Sequence, residues 1–235
     1  MGTHNKDVVY ILKKDIKPDE LRYSLRSVGK NFPHGKVWFF GGCPDGITPD
    51  VYVEFQQQGR SKWEKATSTY RAICNTEEVS DDFWLFNDDF FILETIGDLP
   101  MMYRGTLTER VEGLVNRHGA ITQYCHQLIK TEKALREAGL GVLDYTLHTP
   151  MLINKKKALE VLDAFPTCPM FRSLYGNYTE VGGVKTDDVK IYDPMSLPAR
   201  GQTLLSTSDA SFSFGAVGKY IRDRFSEPSR WETSC

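Results

Sequence analysis

The sequence predicts an α/β domain in which a mostly parallel sheet is flanked by helices. Apolar runs of strand length alternate along the 235 residues with segments whose apolar residues recur at helical spacing. A strand at 7–12, a helix opened by Pro18 and a second strand at 36–40 have the spacing typical of two parallel strands joined by a helix. A chain of this length predicts a single domain, 1–235.

The other elements follow in order along the chain. In the first helix, Asp19 is the predicted N-cap, and Leu21, Leu25 and Val28 form the core face. Further strands are predicted at 51–55, 83–86, 90–93, 145–153, 189–192 and 203–206. Further helices are predicted at 61–75, 106–117, 122–138, 155–165, 171–178 and 215–225. An antiparallel pairing of the two strands within 83–93 would make the sheet mixed.

Composition and charge argue against several classes of protein. The net charge of −2 gives no overall basic field for nucleic acid, and it leaves room only for a local basic face. The five cysteines are an odd number without CxxC spacing, which argues against a zinc ribbon or a disulfide framework. No apolar run is long enough to span a membrane, and residues 1–7 lack the apolar core of a signal peptide. We therefore expect a cytoplasmic protein with no membrane span.

The most informative segment is 83–93, in which two apolar runs flank Asn87, Asp88 and Asp89. Burying an unpaired carboxylate is costly, so two adjacent ones do not belong in the middle of a buried strand. One interpretation ends the strand at Asn87 and places the acids at a crevice, where a divalent cation compensates their charge. The other is a turn between two hairpin strands, since Asn and Asp are common turn residues. The residues alone leave both interpretations open.

Residues 101–140 are predicted to form a helical insertion in which basic side chains outnumber acids. The insertion either covers the crevice and grips an acceptor, or it packs on the sheet as an amphipathic hairpin. Its basic side chains are those of Arg104, Arg110, Arg117, His118, His126, Lys130, Lys133 and Arg136.

Single side chains elsewhere add further candidates. Lys62 and Lys65, near the start of the second helix, either meet the phosphates of a donor or lie on a solvated face. His148 stands where a strand gives way to a loop, a position that suits a structural or a proton-transferring histidine. Asp209 is another acid directly after a strand.

Several blocks of the chain resemble the Stealth-type sugar-phosphate transferases, a family that includes bacterial capsule polymerases. The most specific strings are Leu-Arg-Tyr-Ser-Leu-Arg-Ser at 21–27 and Phe-Asn-Asp-Asp-Phe at 86–90. The resemblance continues at 148–173 and, more loosely, at 206–232, so it touches most of the chain in order. The first block departs from the family, because Ile-Leu-Lys-Lys-Asp stands at 11–15 where the family has a Trp-Val-Asp-Gly-type turn.

The resemblance implies a GT-A-like nucleotide-binding fold, a nucleotide-sugar donor and Mn²⁺ or Mg²⁺ at the acidic pair. By position, it implies that His148 transfers a proton and that Arg172, Arg22 and Arg26 hold the phosphates of the donor. Together with the candidates above, the expected catalytic residues are His148, Asp89 and Arg172, the donor-binding residues are Arg22, Arg26, Asn87, Lys62 and Lys65, and the metal ligands are Asp88, Asp89 and Asp209.

Because the chain is compact and its first block is changed, it is similar to short phage-encoded glycosyltransferases. We expect a metal-dependent enzyme that moves a sugar from a nucleotide-sugar donor to an acceptor hydroxyl. The alternatives are a Stealth-like hexose-1-phosphate transferase, a phage glycosyltransferase acting on DNA bases, and a non-catalytic nucleotide- or carbohydrate-binding protein. The expected acceptor is a glycan, a protein or a modified DNA base, and a phage-encoded member would act in the cytoplasm of its host.

Overall fold

The computed structural model describes residues 6–167 and 169–232, and Cys168 and Cys235 lie outside them. The strands are β1 (Asp7–Leu12), β2 (Val37–Gly41), β3 (Val51–Glu54), β4 (Asp82–Phe86), β5 (Phe90–Ile92), β6 (Met102–Tyr103), β7 (Met151–Asn154), β8 (Val184–Lys185), β9 (Lys190–Ile191) and β10 (Leu204–Thr207). The helices are α1 (Pro18–Asn31), α2 (Lys62–Asn75), α3 (Leu107–His118), α4 (Gln123–Glu137), α5 (Lys155–Ala164), α6 (Phe171–Tyr178), α7 (Asp209–Phe214) and α8 (Ala216–Arg224).

The main sheet has the strand order β3-β2-β1-β4-β7. The first four strands in this order run parallel, and β7 is antiparallel to β4. The chain therefore moves outward from β1 through β2 to β3 and then crosses to the other side of β1 to form β4. The predicted α/β class with a mixed, mostly parallel sheet is confirmed, and the point where the strand order reverses lies between β1 and β4.

Strands β1 and β4, at the centre of the main sheet, are buried on both faces, as their continuous apolar runs predict. Alternate residues enter opposite cores: Val9 and Leu85 pack in one cluster, and Tyr10 and Phe86 pack in the other. This alternation follows from the two-residue period of a strand. The sheet thus separates two apolar layers and leaves its strand ends to carry polar side chains.

The mixed sheet has a different origin from the one predicted. β4 and β5 do not pair with each other, because β5 belongs to a smaller sheet of order β5-β10-β9. The free edge of β5 faces α1, where Ser24 Oγ donates to Phe90 O at 2.5 Å and Asn31 Nδ2 donates to Ile92 O at 2.7 Å. Ile92 N donates to Ser27 Oγ at 3.0 Å. The small polar residues of α1 therefore satisfy the backbone edge that a hairpin partner would have covered.

Two other local predictions are corrected. The N-cap of α1 is Lys17 and not Asp19, since Pro18 occupies the first helical position, where its missing N–H costs nothing. The strand predicted at 145–153 is reduced to β7, because Pro150 has no N–H and the preceding backbone donates to side chains instead of to a neighbouring strand. Tyr145 N, for example, donates to Ser173 Oγ at 3.0 Å.

The helical hairpin predicted at 101–140 is present as α3 and α4. Thr106 and Thr122 cap the two helices, and Gly119 ends α3 in the left-handed region with φ of 69°. Leu107 and Leu128 are fully buried in the same apolar cluster as β4 and α6. The hairpin therefore packs on the main core. In the described part of the chain, no helix is both long and apolar enough to cross a membrane.

Candidate active site

A cavity of about 620 Å³ lies at the carboxyl ends of the parallel strands, beside the reversal of strand order between β1 and β4. In open α/β sheets this is the position where ligands bind. We call it the strand-end cavity. Its polar lining comes from Lys13, Glu20, Gln57, Lys62, Lys65, Asn87, Asp88, Asp89, Lys190 and Asp209.

The residues that line the cavity lie at the ends of strands and at the starts of helices. Residues 87–89 form the turn directly after β4, and Phe90 N donates to Asn87 O at 3.3 Å to close it. Lys62 and Lys65 lie in the first turn of α2, which begins at a capping box formed by Ser61 and Glu64. Asp209 is the first residue of α7, after β10. Six of the predicted residues are therefore brought together in one cavity: Asn87, Asp88, Asp89, Lys62, Lys65 and Asp209.

Asp89 is the more deeply buried member of the acidic pair, with 9% of its surface exposed. Its Oδ2 accepts hydrogen bonds from Lys190 Nζ at 2.7 Å and Ser206 Oγ at 3.1 Å. Its Oδ1 is buried and has no hydrogen-bond partner in the part of the chain that the structure describes. A buried carboxylate oxygen without a donor is costly, and a bound cation would satisfy it.

The cavity combines four carboxyl groups with four lysines, and two of the carboxyl groups resist ionisation. Burial, followed by the neighbouring charge of Asp89, raises the pKa of Asp88 to about 6. Burial also raises the pKa of Glu20 to about 7, and the charges of Asp88, Asp89 and Asp209 act in the same direction. A carboxyl group that resists ionisation because it is buried and lies beside other acids is stabilised in its charged form when a cation binds nearby.

The acids of the cavity do not form a complete protein cage for a metal ion. Among residues 6–167 and 169–232, no group of three or more His, Cys, Asp or Glu side chains is placed to hold one ion together. Asp88, Asp89 and Asp209 line one cavity without converging on one point. Mg²⁺ is commonly held by one or two carboxylates together with substrate phosphates, so the acidic pair fits an ion that shares its ligands with a nucleotide.

His148 lies outside the strand-end cavity and lines a second one, of about 840 Å³. We call this the basic cavity. It is bounded by α3, α4, the segment before β7 and the segment around β9, and Lys190 lines both cavities. Its polar lining consists of Arg104, Arg110, Arg117, His118, Tyr124, Thr146, His148, Asp187, Asp188, Lys190 and Tyr192.

Asp188 fixes the orientation of His148. Its Oδ2 lies 2.8 Å from His148 Nδ1, and its Oδ1 accepts from His148 N at 3.0 Å. Arg104 Nη2 donates to Asp188 Oδ2 at 2.8 Å. Burial acts to raise the pKa of Asp188, but the bonds from His148 and the charge of Arg104 outweigh it and hold that pKa well below its usual range. An ionised carboxylate on Nδ1 leaves Nε2 of the neutral ring free to accept a proton.

Arg172 lines neither cavity. Its guanidinium donates to Thr149 O and lies 5.9 Å from the centre of the Phe90 ring, directly after the acidic turn. Burial lowers the pKa of Arg172, and the charges of Asp188 and Asp89 act against that effect. From this position the positive charge of Arg172 interacts with Asp188 and Asp89, which line the two cavities.

Arg22 and Arg26 are not brought to the strand-end cavity. Glu232 accepts from Arg22 Nη1 at 2.7 Å, and its two carboxylate oxygens accept from Arg26 Nε at 2.8 Å and Nη2 at 2.6 Å. The Glu232 side chain is only 4% exposed. In this arrangement the two arginines fasten the chain near residue 232 to α1, on a different surface from the acidic pair.

Several residues that line the two cavities were not among the sequence candidates, and three of them stand out by their contacts or their shifted pKa. They are Glu20, Lys190 and Asp188. Glu20 is part of a helix start that reads as an ordinary acidic first turn. Lys190 begins the two-residue strand β9, and Asp188 lies just before that strand. Neither position has a distinguishing sequence pattern, so only the contacts with Asp89 and His148 reveal them.

The chain matches no protein-family model and no curated protein. Among solved structures, it is similar to the glycosyltransferase GlyE of Streptococcus pneumoniae TIGR4, at 11% identity and a TM-score of 0.37. That match covers 95% of this chain and 50% of GlyE. The apo form of GlyE matches at 12% identity and a TM-score of 0.35, over 73% of this chain and 42% of that one.

An active-site mutant of LgtC is similar at 10% identity and a TM-score of 0.41, over 96% of this chain and 85% of that chain. The chain thus spans about half the length of GlyE and most of LgtC. All three TM-scores lie below 0.5.

Proposed function

We propose that this protein is a metal-dependent glycosyltransferase that moves a sugar from a nucleotide-sugar donor to an acceptor hydroxyl. The observation that carries the proposal is the acidic pair in the strand-end cavity, at the reversal of strand order. The resemblance of the chain to Stealth-type transferases at 86–90 points to the same residues.

The lining of the cavity suits a nucleoside diphosphate. Its volume of about 620 Å³ falls within the roughly 300–1,000 Å³ range of small-molecule sites. Lys62 and Lys65 at the start of α2 supply positive charge for phosphate oxygens, and the amino-terminal end of a helix adds to it. Lys13, directly after β1, adds a third lysine.

Asp88 and Asp89 are the residues that would hold Mn²⁺ or Mg²⁺, and Asp209 is a further acid of the same cavity. Bound there, the ion would neutralise the charge that develops on the leaving nucleotide. Lys190 contributes a fixed positive charge of its own. Burial acts to lower its pKa, but the charge of Asp89 outweighs burial and raises it, so the ammonium group stays protonated.

His148 is the proposed proton acceptor for the acceptor hydroxyl. Its Nδ1 is engaged by Asp188, and the ring lines the basic cavity, which adjoins the strand-end cavity at Lys190. A donor in one cavity and an acceptor in the other would then meet near this lysine. Asp188 is a positioning residue, since it fixes the ring through which the proton would pass.

Sugar-phosphate transfer is the second candidate, and the Stealth resemblance favours it. Both reactions use the same cation and the same donor, so they differ only in the bond that breaks. Glycosyl transfer releases a nucleoside diphosphate, whereas sugar-phosphate transfer releases a nucleoside monophosphate. The changed first block, 11–15, is the reason for preferring glycosyl transfer.

The test is incubation of the purified protein with UDP-, GDP- and ADP-linked sugars, Mn²⁺ and a panel of sugar acceptors. Mass spectrometry then identifies the released nucleotide. A nucleoside diphosphate supports the proposal, and a monophosphate replaces it with sugar-phosphate transfer. The Asp88→Asn/Asp89→Asn double variant should lose turnover, whereas a pure binding protein would show no turnover in either form.

A further inference from the structure

We propose that the basic cavity binds an acceptor sugar that carries an acidic group, either a phosphate or a carboxylate. This inference rests on the proposed function, because it names the class of acceptor for that reaction. It starts from the charges of the cavity that the described part of the chain leaves unbalanced.

Four of the titratable groups that line the cavity are already paired. Arg104 Nη2 donates to Asp188, which also holds His148, and Lys190 is paired with Asp89 at 2.7 Å. Arg104 Nε is buried and has no hydrogen-bond partner among the described residues, but this arginine already has Asp188 as its counter-ion.

Two arginines of α3 remain without an acid. Within the described residues, the side chains of Arg110 and Arg117 form no ion pair and donate no hydrogen bond, and both line the cavity. The remaining acid is Asp187, which is exposed. Two guanidinium groups are thus balanced by only one, solvated carboxylate, and this excess of positive charge favours the binding of an anion in the cavity.

Of these two arginines, Arg110 gives the stronger evidence for an anion-binding site. Its Nε is buried and has no hydrogen-bond acceptor among the residues described. Leaving a buried charged donor unsatisfied costs free energy that a solvated arginine would avoid. Arg117 is less informative, because a cation in the last turn of α3 is also favoured by the helix dipole. An anionic ligand would give the Arg110 guanidinium its missing acceptor in a forked geometry.

The rest of the lining suits a sugar. Tyr124 and Tyr192 line the same cavity, and Tyr124 Oη donates to Thr146 Oγ1 at 3.1 Å. Aromatic rings with a few polar groups and two free arginines suit a small, polar molecule with one acidic end. Since His148 lines this cavity too, an acceptor bound there by its acidic group has a proton acceptor at hand.

A nucleic-acid strand is the competing anion. A strand needs a groove along which several phosphates are tracked, whereas these arginines lie within one concave cavity of about 840 Å³. The cavity therefore favours a small acidic sugar. Nucleic-acid binding would show itself by a steep dependence on salt.

The experiment measures binding calorimetrically without donor or metal, so its outcome is independent of turnover. The ligands are glucose 6-phosphate, glucuronate and neutral glucose, together with a single-stranded oligonucleotide. The proteins are the wild type, Arg110→Gln, Arg117→Gln and the control Arg136→Gln, which removes an exposed arginine of the same hairpin that is paired with Glu132. Urea unfolding establishes that each variant is folded.

We expect at least one acidic sugar to bind tenfold or more tightly than glucose, and the two acidic ligands distinguish phosphate from carboxylate. Arg110→Gln should weaken that binding about tenfold or more, while Arg136→Gln leaves it unchanged. Equal affinity for glucose, no binding of either acidic sugar, or no effect of Arg110→Gln would overturn the inference. Tighter, strongly salt-dependent binding of the oligonucleotide would also overturn it. If acidic sugars bind as expected but no donor is turned over, the fault lies with the proposed reaction and not with the cavity.

Discussion

Replacing Glu232 by alanine tests whether Arg22 and Arg26 hold the chain in place. The carboxylate accepts from both arginines and from Ser229 N and Oγ. The Arg26 side chain is 10% exposed, and it keeps only two carbonyl acceptors when Glu232 is removed. Breaking a buried ion pair by removing one partner costs about 3–5 kcal/mol. Because Arg22 is 28% exposed, we expect a loss near the lower end, about 3 kcal/mol.

The assay is urea unfolding at neutral pH, with thermal unfolding as a second measurement. For a chain of this length, a loss of about 3 kcal/mol lowers the melting temperature by about 6–12 °C. The matched control is Glu137→Ala, which removes an exposed carboxylate 3.7 Å from Lys133 on α4. Surface pairs of this kind contribute less than about 1 kcal/mol, so the control should be nearly neutral.

The pH dependence gives an independent check. Burial acts to raise the pKa of Glu232, but the bonds from Arg26, Ser229 and Arg22 outweigh it and lower that pKa to about 2. The stabilisation is therefore present above the ordinary pKa of a glutamate and is lost as the pH falls toward 2. The difference in stability between wild type and Glu232→Ala should shrink over that interval. A variant as stable as the control, or a difference that stays constant in acid, would refute the structural role of this cluster.

Three further predictions concern other parts of the molecule. Arg22→Gln should leave the affinity for nucleotides unchanged in a binding titration, because Arg22 does not line the strand-end cavity. A tenfold loss of nucleotide affinity would show that Arg22 binds the donor after all. Gly218→Ala should destabilise the protein by about 1–3 kcal/mol in urea unfolding, because a Cβ there would lie 1.7 Å from Phe212 O. An unchanged midpoint of urea unfolding would contradict this close packing of Gly218 on Phe212. Asp188→Asn should lower kcat by about 10²-fold and alter the pH profile of kcat, because the His148 ring loses its ionised partner. The KM of the donor should change little. A change in KM alone would argue against a positioning role for Asp188.

The elements of this fold could be predicted from local patterns, whereas their pairings could not. The run 83–93 predicts a buried strand that ends near Asn87, and the structure has β4 there, followed by a turn at 87–89. The same run does not predict that β5 leaves the main sheet, since this depends on side chains of α1 that satisfy its edge. The periodicity of apolar residues predicts which residues are buried. Which element packs over them depends on the tertiary structure, so it cannot be predicted from the local pattern.

The candidate site shows the same division. Acids and lysines at strand ends and helix starts were recognisable, because the topology of parallel strands brings such positions to one edge. The contact between Lys190 and Asp89 joins residues 101 positions apart, and the contact between Arg26 and Glu232 joins residues 206 positions apart. A single sequence holds no local signal for either contact. The resemblance to Stealth-type transferases implies that Arg22 and Arg26 hold the donor, whereas in the structure both are paired with Glu232.

The most direct test of the central claim is calorimetric titration of UDP, GDP and ADP, with and without Mn²⁺, into wild-type protein and the Asp88→Asn/Asp89→Asn variant. If the acidic pair holds a cation against a nucleotide, one of these ligands binds the wild type tightly only when Mn²⁺ is present, and the folded double variant loses that metal-dependent binding. Binding that is equally tight without the metal, or that survives in the double variant, would contradict the account.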